Sequence, residues 1–282
     1  MKPAPFDYAC PGSLNEAVAL LASRPDAKAL AGGQSLMPVL AFRLAEPSLI
    51  VDLRKLPGLA RIEVTQAGLH LGALVRWRDI ERAENLAHPL LKAAVAHVAH
   101  YQIRNRGTIG GSLAHADPAA ELPGIAVACD GEIEIAGSKG ARKVAAEKFF
   151  TGPLTTVLAQ DELITGLILP PWPAARRWGF EEFARRRGDF AIAGVAAFFD
   201  LEGGRAARAH IGVIGACSRP HRIAAAEAAL NGRAIDEAAI LAAARAAPQA
   251  VDPPEDLHAS AAYRRALVET LVERALRRAA AP

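Results

Sequence analysis

The sequence predicts an α+β fold, and three observations carry that prediction. Helical and strand patterns alternate over residues 13–53, around a glycine pair at Gly32-Gly33. Residues 61–73 and 133–144 alternate apolar and polar side chains in short paired runs, as antiparallel hairpins do. Beyond Pro170-Pro171-Trp172-Pro173, which halts helix and ladder alike, a long apolar hairpin precedes alanine-rich helices.

At 282 residues the chain fits about two domains, on the usual ~100–200 residues per domain. Its 51% hydrophobic and 22% charged content is ordinary for a globular protein. A net charge of +3 gives no basic footprint for nucleic acid. Arg185-Arg186-Arg187 and Arg277-Arg278 read as solvated faces. Cys10, Cys129 and Cys217 follow no disulfide or metal spacing, so these cysteines do not hold an iron–sulfur or zinc site. Nothing from Met1 to Asp7 reads as a signal peptide, and no run nears the ~20 apolar residues that span a bilayer. The expected location is the cytoplasm, or at most a membrane surface.

Ser13, with Glu16 three residues on, opens a helix over 13–23 with Leu14, Val18 and Leu21 on one face. Pro25-Asp26 stops it. Ala27–Leu30 is a short buried strand leading into the turn Ala31–Ser35. Leu36–Leu44 reads as a helix closed by Pro47, and Leu49–Leu53 as another strand. Arg61–Val64 and Leu69–Ala73 form a hairpin about Gly68. Trp77–Leu86 and Pro89–His100 are expected helices, the second carrying Leu90, Leu91, Ala94, Val95 and Val98 on one side. His97 and His100 lack a third ligand and read as surface or satisfied core residues, not a metal site. Gln102–Gly107 is a polar connector into a second glycine turn, Gly107–Ser112. Asp117-Pro118 starts a helix that runs through Ala126 and Ala128. Ile133–Ile135 pairs with Arg142–Val144, and the strand Leu167–Leu169 closes the region. Phe190–Leu201 and Ala207–Ile214 make the long hairpin, turning at Gly203-Gly204. Helices follow at about 221–230, 236–247 and 260–279, the last with Leu267, Leu271, Ala275 and Leu276 in its apolar stripe.

The chemistry sits in the two glycine stretches. Glycine takes positive φ freely and lets backbone approach a ligand, and successive N–H groups in such a turn form a concave anion site. Gln34 and Ser35 add side-chain donors and acceptors at the first stretch, and Ser112 at the second. Either stretch alone also reads as a tight structural turn. No Gly-x-Gly, no lysine after a glycine, no His-Glu-x-x-His, no Cys-x-x-Cys and no Gly-x-Ser-x-Gly occurs. Two converging glycine loops remain, and together they suit the pyrophosphate of a dinucleotide. Asp117 and Glu121 either accept hydrogen bonds from ligand hydroxyls or merely cap the helix that follows.

Ala31-Gly32-Gly33-Gln34-Ser35-Leu36-Met37-Pro38 and Thr108-Ile109-Gly110-Gly111-Ser112, with Asp117-Pro118, resemble two FAD-binding signatures. They are those of the medium subunits of molybdenum hydroxylases, the xanthine dehydrogenase and carbon monoxide dehydrogenase families. Arg186–Val195, Arg219–Arg222 and Ala259–Arg265 resemble later segments of the same subunits, so the likeness covers essentially the whole chain. It implies a two-lobed FAD-binding domain of the PCMH type over 1–173, with lobes of about 1–56 and 57–173. A smaller α+β domain would occupy 174–282.

The resemblance further implies FAD between these parts. Its contacts would come from Ala31, Gly32, Gly33, Gln34, Ser35, Leu36, Thr108, Ile109, Gly110, Gly111, Ser112, Asp117, Glu121, Leu163 and Phe190. Backbone amides of 31–35 and 108–112 would hold the pyrophosphate and ribityl chain. Gln34 stands where the family often has His, and Ser112 where Asn is frequent. Glu121 replaces an Asp that accepts from FAD hydroxyls, and Phe190 replaces a Tyr near the flavin ring. No residue of this chain is implied as an acid–base catalyst. The implied partners are a small iron–sulfur subunit and a large molybdopterin subunit in a hetero-oligomer. Electrons from the clusters would reach this chain's flavin and pass to NAD, a quinone or oxygen. Two other readings stand beside this one: a stand-alone FAD oxidase or dehydrogenase, and a non-catalytic assembly subunit whose glycine turns are structural.

Overall fold

Three sheets and a short ribbon, with helices between them, build the chain in a computed structural model that describes residues 2–281. Met1 and Pro282, the outer ends of the two expected domains, lie outside the described residues.

The first part runs β1 (Asp7–Ala9), α1 (Leu14–Ser23), β2 (Lys28–Leu30), α2 (Leu36–Ala41) and β3 (Leu49–Asp52). Its strands are parallel in the order β1-β3-β2. Ser13 Oγ accepts the Glu16 amide and Glu16 reaches back to the amide of Gly12, so the cap foreseen at Ser13 closes one residue earlier than a standard box. Ala17, Val18 and Leu21 of α1 pack on Leu49, Val51 and Leu53. α2 is shorter than the Leu36–Leu44 helix the sequence suggests. Arg43 turns left-handed (φ 54°), and the amides of Arg43 and Leu44 close back on the carbonyls of Leu40 and Val39. That is a Schellman stop, formed without the usual glycine and ahead of Pro47.

The second part carries β4 (Ile62–Thr65), β5 (Gly68–Gly72), α3 (Trp77–Arg82), α4 (Pro89–Val95), α5 (Tyr101–Arg104), α6 (Ile109–His115) and α7 (Glu121–Ala128). It continues with β6 (Glu132–Gly137), β7 (Gly140–Ala145), α8 (Ala146–Phe149), β8 (Phe150–Gly152), β9 (Thr155–Thr156) and β10 (Leu163–Leu169). The sheet is antiparallel, in the order β4-β5-β10-β6-β7. β10 begins four residues before the strand read from sequence, because the register shifts between Ile164 and Gly166 and lets one strand bridge both neighbours. The helix expected over Pro89–His100 stops at Val95, and Ala99 turns left-handed (φ 41°). The presumed connector beyond it forms α5. The second glycine stretch is no turn: it opens α6, with Thr108 as N-cap.

The third part holds β11 (Arg177–Phe183), β12 (Ala193–Glu202), β13 (Arg205–Ile214), β14 (His221–Arg222), α9 (Ala224–Leu230), α10 (Glu237–Ala246) and α11 (Ala261–Ala280). The strands form an antiparallel sheet in chain order. β11 was not foreseen, since Arg177-Trp178-Gly179-Phe180-Glu181-Glu182-Phe183 lacks a clean alternation. β12 starts at Ala193, leaving Phe190–Ile192 outside the sheet. Val195, Ala197, Phe199, Ile211 and Val213 face the helices, against Leu230, Ile240, Val268 and Leu276. The other face, with Ala196, Phe198 and Ile214, joins the core of the second part.

α7 is the shared wall, buried on every side. Its Gly124 lies so near β13 that a Cβ there would be 2.3 Å from Ile214 Cγ1, and one on Gly212 would be 2.6 Å from the Ala128 Cβ. The proline segment crosses this seam: Trp172 packs on His88 and Phe198, and Arg176 lies over both Trp172 and Phe198 while binding Asp200 at 2.9 Å. No helix among the described residues is long and apolar enough to cross a membrane.

Gly124→Val should overpack this seam and lower unfolding free energy by about 1–3 kcal/mol in urea titration. An unchanged midpoint would contradict the close approach of α7 and β13.

Candidate functional site

The turn after β2 meets the approach to α6. A Cβ on Gly32 would lie 2.3 Å from the Arg106 carbonyl oxygen and 2.9 Å from Gly107 Cα, so glycine is required there. Gly33 takes φ +74° and turns the chain back into α2. Ala31 Cβ is 3.8 Å from the Cβ position of Gly111, which brings the two glycine stretches together. Among the described residues, no protein acceptor takes the amides of Gly32, Gly33, Gln34 or Ser35. Gln34 Nε2 donates to the Gly32 carbonyl at 3.1 Å and holds the turn in shape. Ser35 occupies the N-cap position of α2 without using its hydroxyl to cap.

The second stretch behaves differently. Ile109 and Gly110 donate to the carbonyls of Val75 and Ala73, while Gly111 and Ser112 donate to the Thr108 hydroxyl and carbonyl. The amides of Ile109–Ser112 are therefore engaged inside the protein, while that of Thr108 has no protein acceptor among the described residues. Its glycines serve close packing instead: a Cβ on Gly110 would sit 2.6 Å from that of Ala73.

Asp117 and Phe190 stand apart from the glycine pair, on a cavity of about 1160 Å³ between the second and third parts. Ala116, left-handed at φ 52° and 2% exposed, ends α6 and swings the chain toward the cavity. Asp117 Oδ1 accepts the Ala119 amide, so it caps its own turn and lines the wall together. Phe190 is 63% exposed beside Arg185 and Arg186. Gly188, at φ +86°, seats this loop on His100, whose Cε1 would be 2.5 Å from an added Cβ. Cys217 lies in the same wall, but burial pushes its thiol up to about 12, and Cys129 likewise, so neither is a ready nucleophile.

Glu121 is buried at the first position of α7, where burial first, then Glu182 and Asp117, push its carboxyl up to about 8. Leu163 is 3% exposed and packs in the core of the first part with Val18 and Val51. Leu36 is partly covered at the start of α2, beside the free amides.

One organising residue escaped the sequence reading. Arg264, 4% exposed on α11, donates to the carbonyls of Ile192 and Gly215 at 2.6 and 2.8 Å and to Asp256 at 2.7 Å. It ties three segments of the cavity wall together. The signal was present: Arg264 precedes Val268 by one turn and continues the apolar stripe through Leu271, Val272 and Ala275. A charge in phase with a buried stripe needs partners.

A cradle of free amides, locked by glycine against a neighbouring carbonyl, fits a diphosphate. The comparisons agree with that geometry. Residues 4–172 match the FAD binding domain in molybdopterin dehydrogenase, and residues 178–279 match the CO dehydrogenase flavoprotein C-terminal domain. The nicotine 6-hydroxylase medium subunit of Paenarthrobacter nicotinovorans is 41% identical, over 98% of each chain. The carbon monoxide dehydrogenase of Hydrogenophaga pseudoflava superposes with a TM-score of 0.96 at 37% identity, covering 99% of this chain and 98% of that one. Quinoline 2-oxidoreductase of Pseudomonas putida 86 superposes at 0.94 with 39% identity, with the same coverage. The fold and cradle define an FAD-binding oxidoreductase subunit. The chain belongs to the FAD-binding medium subunits of the molybdenum hydroxylases.

Gly32→Ala should push the two glycine stretches apart and cost most of the bound FAD, read from visible absorbance, while far-ultraviolet circular dichroism stays unchanged. Full FAD content would sink the cradle. Arg264→Met should leave two carbonyls without their donor and destabilise the protein by roughly 1–3 kcal/mol. Faster proteolysis within residues 252–259 is the local readout.

Proposed function

We propose that this chain is the electron-transfer subunit of a three-part molybdenum hydroxylase. It takes electrons from iron–sulfur clusters on a small partner and passes them to an acceptor such as NAD, a quinone or oxygen. A large molybdopterin partner would oxidise the substrate. The relatives named as medium subunits support this division, as do three cysteines too scattered to hold a cluster.

Bound FAD supplies the step between paired and single electrons, and the chain's own residues position it. The amides of Gly32–Ser35 would hold the diphosphate, with Gln34 and Ser35 adding polar side chains and Thr108 to Ser112 bracing them from behind. Asp117 and Phe190 would meet the part of the cofactor that reaches the cavity, where an acceptor has access. We place the division between the FAD-binding region and the C-terminal region at 173/174, in the proline segment. The two family matches, which break between 172 and 178, support that placement.

The free-amide turn at Gly32–Ser35 carries the reading. The complex should co-purify with FAD, iron and molybdenum, and its flavin absorbance should bleach when the substrate of the large partner is added. Bleaching that persists after the iron–sulfur subunit is removed would refute the proposed electron route.

A further inference from the structure

The link into the second glycine stretch carries positive charge that no acid among the described residues neutralises. In the segment Gln102–Gly107, read from sequence as a polar connector, Arg104 is spent. Its Nη1 donates to the carbonyls of Val98 and Ala99 at 2.9 and 3.0 Å, and its Nε lies 2.9 Å from Glu81. Arg106 is exposed and has no such partner. Arg78 stands across from it. Arg76 bridges Thr108, and the Trp77 amide donates to the Gly107 carbonyl at 3.2 Å, so the same antiparallel register sets Arg78 opposite Arg106. Arg76, Arg78 and Arg106 form no ion pair among the described residues. The nearby acids are turned elsewhere: Asp79 accepts the Arg76 amide at 3.1 Å, and Glu81 faces Arg104.

This charge lies against the cradle. The Arg106 carbonyl carbon is 2.9 Å from the Cβ position of Gly32, which puts the Cα atoms of the two residues within about 6 Å of each other. An extended arginine side chain covers that distance. The amides of Gly32–Ser35 and of Thr108 have no protein acceptor among the described residues. Amides offer an anion only partial charges, whereas a diphosphate brings full negative ones. A guanidinium supplies the full opposite charge and matches phosphate oxygens with a two-point fork. Like charges set opposite each other repel until an anion lies between them.

We propose that Arg78 and Arg106 supply the counter-charge for the diphosphate of the dinucleotide, reaching over the free amides from the side of the second stretch. The amides fix where the phosphate oxygens sit, and the two guanidinium groups neutralise them. The second stretch thus contributes a charged clamp as well as a brace. The inference rests on the reading of this chain as an FAD carrier. ADP, which has the diphosphate without the flavin, tests the clamp separately.

In the test, the full chain stripped of FAD is titrated with FAD and with ADP at about 0.05 M and about 0.5 M NaCl. Wild-type affinity for both should fall at high salt. Arg78→Gln and Arg106→Gln should each weaken FAD and ADP by about tenfold at low salt and flatten the salt dependence. Arg106→Lys should restore the salt dependence and part of the affinity, because it keeps the charge without the fork. Arg245→Gln, which removes an exposed charge on α10, should change none of these. Wild-type FAD binding that ignores salt would overturn the proposal and leave the FAD reading standing. A double glutamine variant with wild-type affinities, or Arg106→Lys behaving like Arg106→Gln, would do the same. Binding of ADP without FAD would refute the FAD reading and leave the clamp, and a chain that takes neither would refute both. Glutamine variants that keep FAD but lose the iron-bearing partner on purification would assign the arginines to that partner's acidic surface and overturn the clamp.

Discussion

The burial of α7 on all sides is the constraint on which the rest of the structure depends. Leu122, Ile125 and Val127 are each at most 2% exposed, and burying such side chains contributes roughly 2 kcal/mol apiece. A helix with no polar face must be covered on both flanks. The sheet of the second part covers one flank, and β12 and β13 cover the other. Glycines make the second contact close: Gly124 and Gly212 leave no side chain between helix and sheet. The C-terminal sheet is therefore packed into the same core that carries the second glycine stretch, and is not tethered beside it.

That shared core explains how distant segments reach one site. α6 and α7 follow one another, so the end of the second glycine stretch, Asp117 and Glu121 are placed together by two short helices. The cavity wall then comes from the ends of β11 and β12, from β13 and from the segment before α11, fastened by Arg264. The seam is further pinned by aromatic contacts. His88, Trp172, Phe198 and His210 meet ring to ring in succession, tilted, edge-on and then stacked, with Arg176 against the middle pair. Burial drives the His88 imidazole down to about 4, so it stays neutral at pH 7, and its Nδ1 caps α4.

The two glycine stretches look alike in sequence and do different work. In the first, the chain leaves a parallel strand and turns sharply, so its amides point away from any ladder and stay free. In the second, the stretch lies along Ala73–Trp77 and enters a helix, so the amides of Ile109–Ser112 are taken up by neighbours and by the Thr108 cap. The first offers a run of free amides; the second keeps only that of Thr108 free and adds the thinness that lets the first come close.

The sequence by itself determined most local choices, because they rest on chemistry within a few residues. The Ser13 cap, the left-handed freedom of Gly33, the hairpin about Gly68 and the apolar stripe of α11 are all readable without a partner. The signatures at 31–38 and 108–112 also marked the FAD family. Tertiary structure decided what depends on neighbours far along the chain. Whether an amide is free depends on which carbonyl lies opposite, so Gly32 and Gly110 could not be told apart beforehand. The role of Arg264 arises only when segments more than 45 residues apart meet out of water, as the Arg264–Ile192 and Arg264–Gly215 bonds show at separations of 72 and 49. Burial turns such charges into constraints, and burial is a property of the whole fold.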